Sequence, residues 1–422
     1  MAKWSIILGI VSSILLPKLV YSQLKIDAEF RPRFEYRHGY KNLAEKNSQA
    51  AAFISQRSRL NLNYRKDQFD FYISLQDVRV WGDNPQLIRS DQSGLSLHQI
   101  WTKVKLSNHF NLKVGRQEII LNDHRIFGNV DWMQQARSHD AISLDFKKGK
   151  WESRLFATYN QDEERFSGSE QYISNNYRTF QALWLNKKFE NTAISFLFLN
   201  NGLQQSDSSR TNFSQTFGTH LNSKHNKHQV LINAFLQKGK DKEDRKLDAF
   251  LVALEWKYEI ISKRLSYSIG SEWISGNKSG LPNESHNNAF TPFYGTNHKF
   301  NGFMDYFFVG NHYDKNGLLN AYQKVEYNWK STNQVKIYHH EFWSGGNQLN
   351  SDKAYFGSEV DVVYRKKISE EASISFTYCH FFPGNSLMNL HQVQSSITNN
   401  YGFITFRFKP ELFNSTESNK TN

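Results

Sequence analysis

Apolar and charged residues alternate along residues 24–37, LKIDAEFRPRFEYR. Every second residue from Leu24 to Tyr36 is apolar or aromatic, and every second residue from Lys25 to Arg37 is charged. Because successive side chains of a strand point to opposite faces, the segment is predicted to be a strand with one apolar face and one ionised face. A soluble sheet would bury the apolar face in a core, whereas a membrane barrel would turn it to lipid and the charges to a lumen.

The same two-residue period returns as pairs of runs separated by short polar turns, which is the signature of β-hairpins. The turns are predicted at 66–67, 107–109, 148–149, near 188, near 226, at 262–263, at 331–332 and near 369. With the opening strand 24–37 and a closing strand in 400–409, NYGFITFRFK, the eight hairpins give about eighteen strands.

Longer polar stretches separate the hairpins, so short and long connections alternate along the chain. The long stretches are 38–52, 79–97, 119–137, 161–177, 201–213, 238–245, 275–316, 345–355 and 383–397. This sorting predicts an all-β, membrane-spanning antiparallel β-barrel of about 18 strands, with short periplasmic turns and long extracellular loops. A barrel of that size leaves an aqueous channel.

In such a barrel the two faces of the opening strand have defined surroundings. We expect lipid around Leu24, Ile26, Phe30, Phe34 and Tyr36, and a lumen around Lys25, Arg31 and Arg33. Pro32 cannot donate a ladder hydrogen bond, so we expect a bulge there or a position outside the membrane band.

The chain ends suggest three segments. Lys3, the apolar run 4–16 and the small residue Ser22 predict an export signal over 1–22, because thirteen apolar residues are too few to span a bilayer as a helix. We expect the barrel domain over 23–409 and a disordered tail over 410–422.

The net charge and the cysteine content limit the kinds of partner and ligand that the protein could bind. The formal net charge is +12, to which the signal contributes Lys3 and Lys18, so an anionic partner is favoured. Because the chain is expected to be exported, nucleic acid is the least favoured of the anionic partners. Cys379 is the single cysteine, which excludes an internal disulfide and a cysteine-built metal site, and we expect no metal and no cofactor.

The densest polar cluster carries a family resemblance. GRQE at 115–118, DHRIFGNVDW at 123–132 and ARSHDAISL at 136–144, together with FYGTNHKFNGFMDYFF at 293–308 and the weaker FGSEVDVVY at 356–364, resemble the alginate export family of outer-membrane barrels. The resemblance implies an 18-stranded barrel in a Gram-negative outer membrane, with an electropositive constriction through which an anionic uronate polymer leaves the cell.

Seven residues are candidates for substrate binding. Those that match the family motifs are Arg116, Asp123, Arg125, Asp131 and Arg137, and the luminal face of the opening strand adds Arg31 and Arg33. A guanidinium offers a planar fork to a carboxylate and stays charged at any working pH. The motif residues could bind solute, pin an inward loop to the wall, or do both.

Other functions stay open. Asp27, Glu29 and Glu35 make the lumen mixed in charge, which also suits a small polar solute and a general porin. An outer-membrane hydrolase or a surface-binding scaffold are alternatives from other classes, although no nucleophile elbow marks an enzyme. The expected partners are outer-membrane lipid, an anionic polysaccharide or small polar solute, and a periplasmic export partner.

Overall fold

The computed structural model of the protein describes most of the chain. The described residues are 22–86, 94–168, 176–205, 210–277, 283, 285–308, 316–346, 355–394 and 397–418. The predicted export signal lies outside them, apart from its last residue, Ser22.

Strands dominate the described residues. They are β1 Gln23–His38, β2 Ala51–Lys66, β3 Phe69–Val80, β4 Leu95–Lys105, β5 Phe110–Gln117, β6 His139–Lys148, β7 Trp151–Ala157, β8 Thr179–Lys188, β9 Thr192–Gln204, β10 Thr211–His225, β11 His228–Lys240, β12 Lys246–Ile261, β13 Leu265–Ile274, β14 His286–Asn287, β15 Leu318–Trp329, β16 Asn333–Trp343, β17 Tyr355–Lys367, β18 Ala372–Pro383, β19 Asn399–Phe408 and β20 Glu411–Asn414. Short helices occur at Asn297–Lys299, Asn385–Leu390 and Ser415–Ser418. None of the helices within the described part of the chain is long and apolar enough to cross a membrane.

The strands close into one barrel. All but the short β14 and β20 pair antiparallel with their neighbours along the chain, and β13 pairs with β15. The first strand also pairs with β19, so the described residues form a closed barrel of 18 strands, as predicted. All eight predicted turns fall between paired strands; for example, β2 ends at Lys66 and β3 begins at Phe69.

The barrel carries charged side chains on its inner face and apolar side chains on its outer face, the reverse of a soluble protein. In β1, Glu29, Arg31, Arg33 and Glu35 are at most 5% exposed, whereas Phe30, Phe34 and Tyr36 are 39–45% exposed. The charged face therefore points into the barrel and the apolar face points outward, as the alternation predicted.

There is no bulge at Pro32. One register joins β1 to β2 from Gln23 to Arg37, with Pro32 opposite Gln56. On the other side, the pairing with β19 omits Arg31 and Pro32 and resumes in the same register at Arg33. Because proline lacks the N–H group, the ladder accommodates it by leaving out a pairing instead of shifting the strand.

The prediction of a disordered tail is wrong for the part of the tail that the structure describes. Residues 411–414 form β20, which pairs with β1 at Lys25 and Ile26, and Lys25 forms a 2.5 Å ion pair with Glu411. The ladder with β19 begins only at Phe30, so the first residues of β1 would otherwise expose an unpaired strand edge. The tail covers that edge.

Two long connections occupy the barrel interior. The loop 118–138 between β5 and β6 is called loop A, and the described segment 285–308 before β15 is called loop B. Their apolar side chains pack with those of the wall; the buried set includes Ile119, Leu121, Ile126, Phe127, Phe290, Tyr294, Met304, Tyr306 and Phe307. The core of this protein therefore lies inside the barrel, between wall and loops.

Candidate functional site

Loop A bends repeatedly because several of its residues adopt left-handed backbone angles. They are Asn122, His124, Val130 and Ala136, with φ between 51° and 75°. A non-glycine residue enters this region only when its surroundings over-determine it. The sharp turns take the chain from β5 across the lumen and back to β6.

Loops A and B are joined directly. Phe127 forms a β-bridge with Tyr294, and the Gly128 N–H donates to the Tyr294 carbonyl at 2.8 Å. A Cβ on Gly128 would lie 2.3 Å from the Thr296 hydroxyl, and one on Gly295 would lie 2.2 Å from a loop A carbonyl. The glycines of both motifs thus allow two backbones to approach closely.

Arg125 is the most deeply buried of the motif arginines. It is 1% exposed and forms a 2.5 Å ion pair with Glu272 of β13. Its guanidinium also lies 3.4 Å from Asn297 and Asn301 and 4.6 Å from the centre of the Phe300 ring. Arg125 therefore fastens loop A to the wall and to loop B.

Asp123 fastens the same loop to another part of the wall. Its carboxylate accepts a 2.7 Å hydrogen bond from Asn233 of β11 and lies 3.8 Å from His220 of β10. Its carbonyl accepts from the Lys299 ammonium of loop B at 2.8 Å. Like Arg125, Asp123 positions the loop.

Arg31 and Arg33 hold the far end of loop A. Arg31 donates to the carbonyls of Asp131 and Met133, both at 2.7 Å, and to the Gln134 side chain at 3.0 Å. Arg33 donates to the carbonyl of Trp132. The guanidinium groups of both arginines donate hydrogen bonds to backbone carbonyls, so they act as clamps that hold residues 131–134 in place.

The carboxylate of Asp131 lies among arginines of the wall. It is 2.9 Å from Arg57 and 3.7 Å from both Arg31 and Arg59. Burial would raise the pKa of Asp131, but Arg57 and then Arg31 oppose it and hold that pKa below the usual value. The charge is therefore retained until the pH falls through this lowered pKa.

A second acid completes this cluster. Glu29 is paired with Arg57 and with Arg407 of β19, each at 2.6 Å. Arg57 is completely buried, whereas the side chain of Arg407 is 37% exposed. The name "arginine wall" is used below for Arg31, Arg33, Arg57, Arg59 and Arg407 with the acids Glu29 and Asp131.

The remaining two motif arginines are placed differently. Arg137 donates to the Gly295 carbonyl at 3.2 Å, and burial lowers its pKa. Arg116 pairs with Asp140 at 2.8 Å, on the outward row that also carries Val114 and Ile142. The structure therefore does not bring Arg116 to the lumen. Gly115 and Gln117, its neighbours in the strand, take the inward positions instead, opposite Ala141 and His139.

Sequence reasoning missed Arg57, Arg59, Glu272 and Arg407. The first two stand at odd positions in RSRLNLNYR, whereas the apolar Leu60 and Leu62 stand at even positions, so the two-residue period could have assigned both arginines to the lumen. No pattern marked Glu272 as the partner of Arg125, because the two are 147 residues apart.

Loop B contacts both loop A and the barrel wall. The Trp132 indole stacks on the His298 ring with centres 3.6 Å apart, and His298 pairs with Asp305 at 2.9 Å. Asp305 accepts from Tyr40, and the Met304 N–H donates to Glu359 of β17. Loop B thus links loop A to β17 and to the residues that follow β1.

A cleft of about 450 Å³ remains between residues 132–135 of loop A and the long-loop ends of β1, β2 and β3. Arg37 lines it and lies 4.5 Å from the Tyr40 ring centre and 4.7 Å from that of Phe53. Within the described part of the chain, no group of three His, Cys, Asp or Glu side chains is arranged to hold a metal ion.

The sequence profile of the alginate export family matches residues 22–400, nearly the whole barrel. The chain belongs to the alginate export family. Its fold and family are those of outer-membrane channels. Comparison with curated proteins gives no significant match.

The barrel of this family member also resembles solved porins. The BenF-like porin of Pseudomonas fluorescens Pf-5 is 10% identical, with 92% of this chain and 99% of that chain covered and a TM-score of 0.62. OpdL of Pseudomonas aeruginosa is 11% identical, with 93% and 99% covered and a TM-score of 0.61. Pseudomonas aeruginosa OpdK, solved with vanillate, is 10% identical, with 92% and 98% covered and a TM-score of 0.58. At this identity the likeness is one of fold.

The outward apolar face is then the lipid-facing face, which a charge should destabilise. Leu60 points outward about half way along β2, and Leu60→Arg is expected to lower the free energy of unfolding by about 2–4 kcal/mol. Asn63→Arg puts the same charge on the luminal face of that strand, beside Asp70, and should change the free energy of unfolding by no more than about 0.5 kcal/mol. Urea unfolding in phospholipid vesicles measures the stability of both variants. Equal losses of stability would contradict the assignment of Leu60 to the lipid-facing side.

Proposed function

We propose that the protein is a passive channel of a Gram-negative outer membrane that moves an anionic polysaccharide or another anionic polar solute. The excess of cationic groups along one side of the narrowed lumen carries this proposal. Six arginines meet three carboxylates there: Arg31, Arg33, Arg37, Arg57, Arg59 and Arg407, with Glu29, Glu35 and Asp131.

The arrangement suits transit better than tight binding. Loops A and B narrow the lumen, and Arg33 and Arg37 line the cleft that remains beside loop A. Most of the guanidinium groups are already engaged by carbonyls or carboxylates, so they attract an anion without offering a fully unoccupied fork. Conduction requires sites that are attractive, weak and multiple.

The location supports export or uptake across the outer membrane. The short turns would face the periplasm, where an export partner would deliver a polymer, and the long-loop ends with the Arg37 cleft would face the exterior. Outer-membrane lipid would surround the apolar outward face.

Planar-bilayer recording of the refolded mature chain tests the proposal. The reversal potential in a salt gradient should show anion preference, and uronate oligomers should block the current in a concentration-dependent way. The preference should weaken as ionic strength rises, because salt screens the arginine wall. Silent bilayers from correctly folded protein would contradict a channel.

A general porin is the second candidate, favoured by the part of the lumen wall that β12, β15 and β16 form. There, lysines alternate with acids: Lys324 with Glu255 at 3.7 Å, Lys257 with Glu326 at 3.7 Å and Lys336 with Glu326 at 3.8 Å. Such a balanced surface has little preference for either sign of charge. A steady, unselective current that uronate oligomers do not affect would support this candidate over the anionic solute.

A further inference from the structure

Asp131 occupies the arginine wall in the way that a carboxylate of a passing solute would occupy it. Its carboxylate comes from loop A, not from the wall, and it faces Arg57, Arg31 and Arg59 at 2.9–3.7 Å. Glu29, in contrast, is part of β1, is 4% exposed and pairs with Arg57 and Arg407. Of the two acids, only Asp131 belongs to a loop.

The exposures show which side of this cluster is open. The side chain of Asp131 is 38% exposed, while those of Arg57, Arg31 and Arg59 are 0%, 5% and 8% exposed. The carboxylate of Asp131 is therefore more accessible to a solute than the three guanidinium groups that it faces.

Arginines of this cluster retain unused donors. Nη2 of Arg59 is buried without a hydrogen-bond partner. Nη1 of Arg57 is 2.9 Å from Asp131 as an ion pair, but it does not reach hydrogen-bond geometry. Buried guanidinium donors without partners are costly, so a better aligned carboxylate would be favoured there.

The backbone of Asp131 is fixed independently of its side chain. Its carbonyl accepts from Arg31, and the carbonyls of Trp132 and Met133 accept from Arg33 and Arg31. Rotation about the side-chain bonds of Asp131 can therefore vacate the arginines while loop A stays in place.

We propose that Asp131 is a displaceable internal anion that sets the selectivity of the channel for carboxylates. A solute carboxylate replaces that of Asp131 on Arg57 and Arg59, and Asp131 returns as the solute leaves. This inference rests on the proposed channel function. The exchange keeps the charge of the site nearly constant, so no solute becomes trapped on bare arginines.

Asp131→Asn tests the inference with Asp140→Asn as the matched control. Both changes remove one carboxylate of the family motifs that is paired with an arginine, but Asp140 lies on the outward row. Calorimetric titration of detergent-solubilised protein with sodium glucuronate should show about tenfold tighter binding to Asp131→Asn than to the wild type. Asp140→Asn should bind like the wild type, and Asp131→Glu should restore the weaker binding.

Bilayer currents give a second readout. With glucuronate present, Asp131→Asn should be blocked at about tenfold lower concentration, although its preference for chloride over potassium is higher than in the wild type. A purely structural role for Asp131 would lower stability or current without tightening binding. Equal or weaker glucuronate binding by Asp131→Asn overturns the inference even if the wild type conducts. Tighter binding with no current in any variant supports the inference at the binding site and overturns the channel function.

Discussion

Replacing Arg125 by leucine is expected to destabilise the protein by about 3–5 kcal/mol, the largest effect among the single substitutions considered. Arg125 and Glu272 are 1% and 3% exposed, so the variant would leave a carboxylate buried without its cation. The contacts to Asn297, Asn301 and the Phe300 ring would be lost as well. Chemical unfolding in vesicles measures the loss, and hydrogen exchange over residues 118–138 should show that loop A opens before the barrel does.

Arg116→Leu is the matched control, because Arg116 belongs to the same motif and also pairs with an acid. The pair lies at the long-loop ends of β5 and β6, and its side chains are 39% and 63% exposed, so removing Arg116 leaves no buried carboxylate. The loss should not exceed about 1 kcal/mol. If the two variants were equally stable, the view that Arg125 fastens loop A would be wrong.

The second large effect is expected from Arg31→Ala, which removes the clamp on residues 131–134. Three hydrogen bonds from one guanidinium would be lost, each of the charged kind that contributes about 1.5–3 kcal/mol. Even with strong non-additivity, the opening equilibrium of this part of loop A should shift by about 100-fold or more. Amide exchange of residues 131–134 should accelerate accordingly, and single-channel conductance should rise because the loop no longer narrows the lumen.

Arg37→Ala provides the comparison for that result. Arg37 stands on the same luminal row of β1, but its guanidinium pairs with Glu35 and packs on the rings of Tyr40 and Phe53. Amide exchange in residues 131–134 should stay within a few-fold of the wild type. Conductance that rises equally in both variants would indicate a general loss of luminal charge in place of a released loop.

Strand number, strand order and the inward or outward direction of most side chains follow from the sequence alone. The reason is that a strand has a side-chain period of two, and a closed barrel with lipid outside and water inside makes each of the two faces uniform. The charged row of β1 could therefore be assigned to the lumen without coordinates. The motif that joins β5 to β6 could likewise be identified as one of the alginate export family.

Only the tertiary structure decided what the charged groups do. Residues distant in sequence share one site because closure brings β1, β2 and β19 beside loop A, and β13 beside Arg125. The two-residue period says that Arg31 faces the lumen, but it does not say that backbone carbonyls of loop A use up its donors. Whether a luminal arginine serves a solute or a loop depends on packing between segments that no local pattern connects. The same is true of β20, whose pairing depends on the uncovered edge of β1.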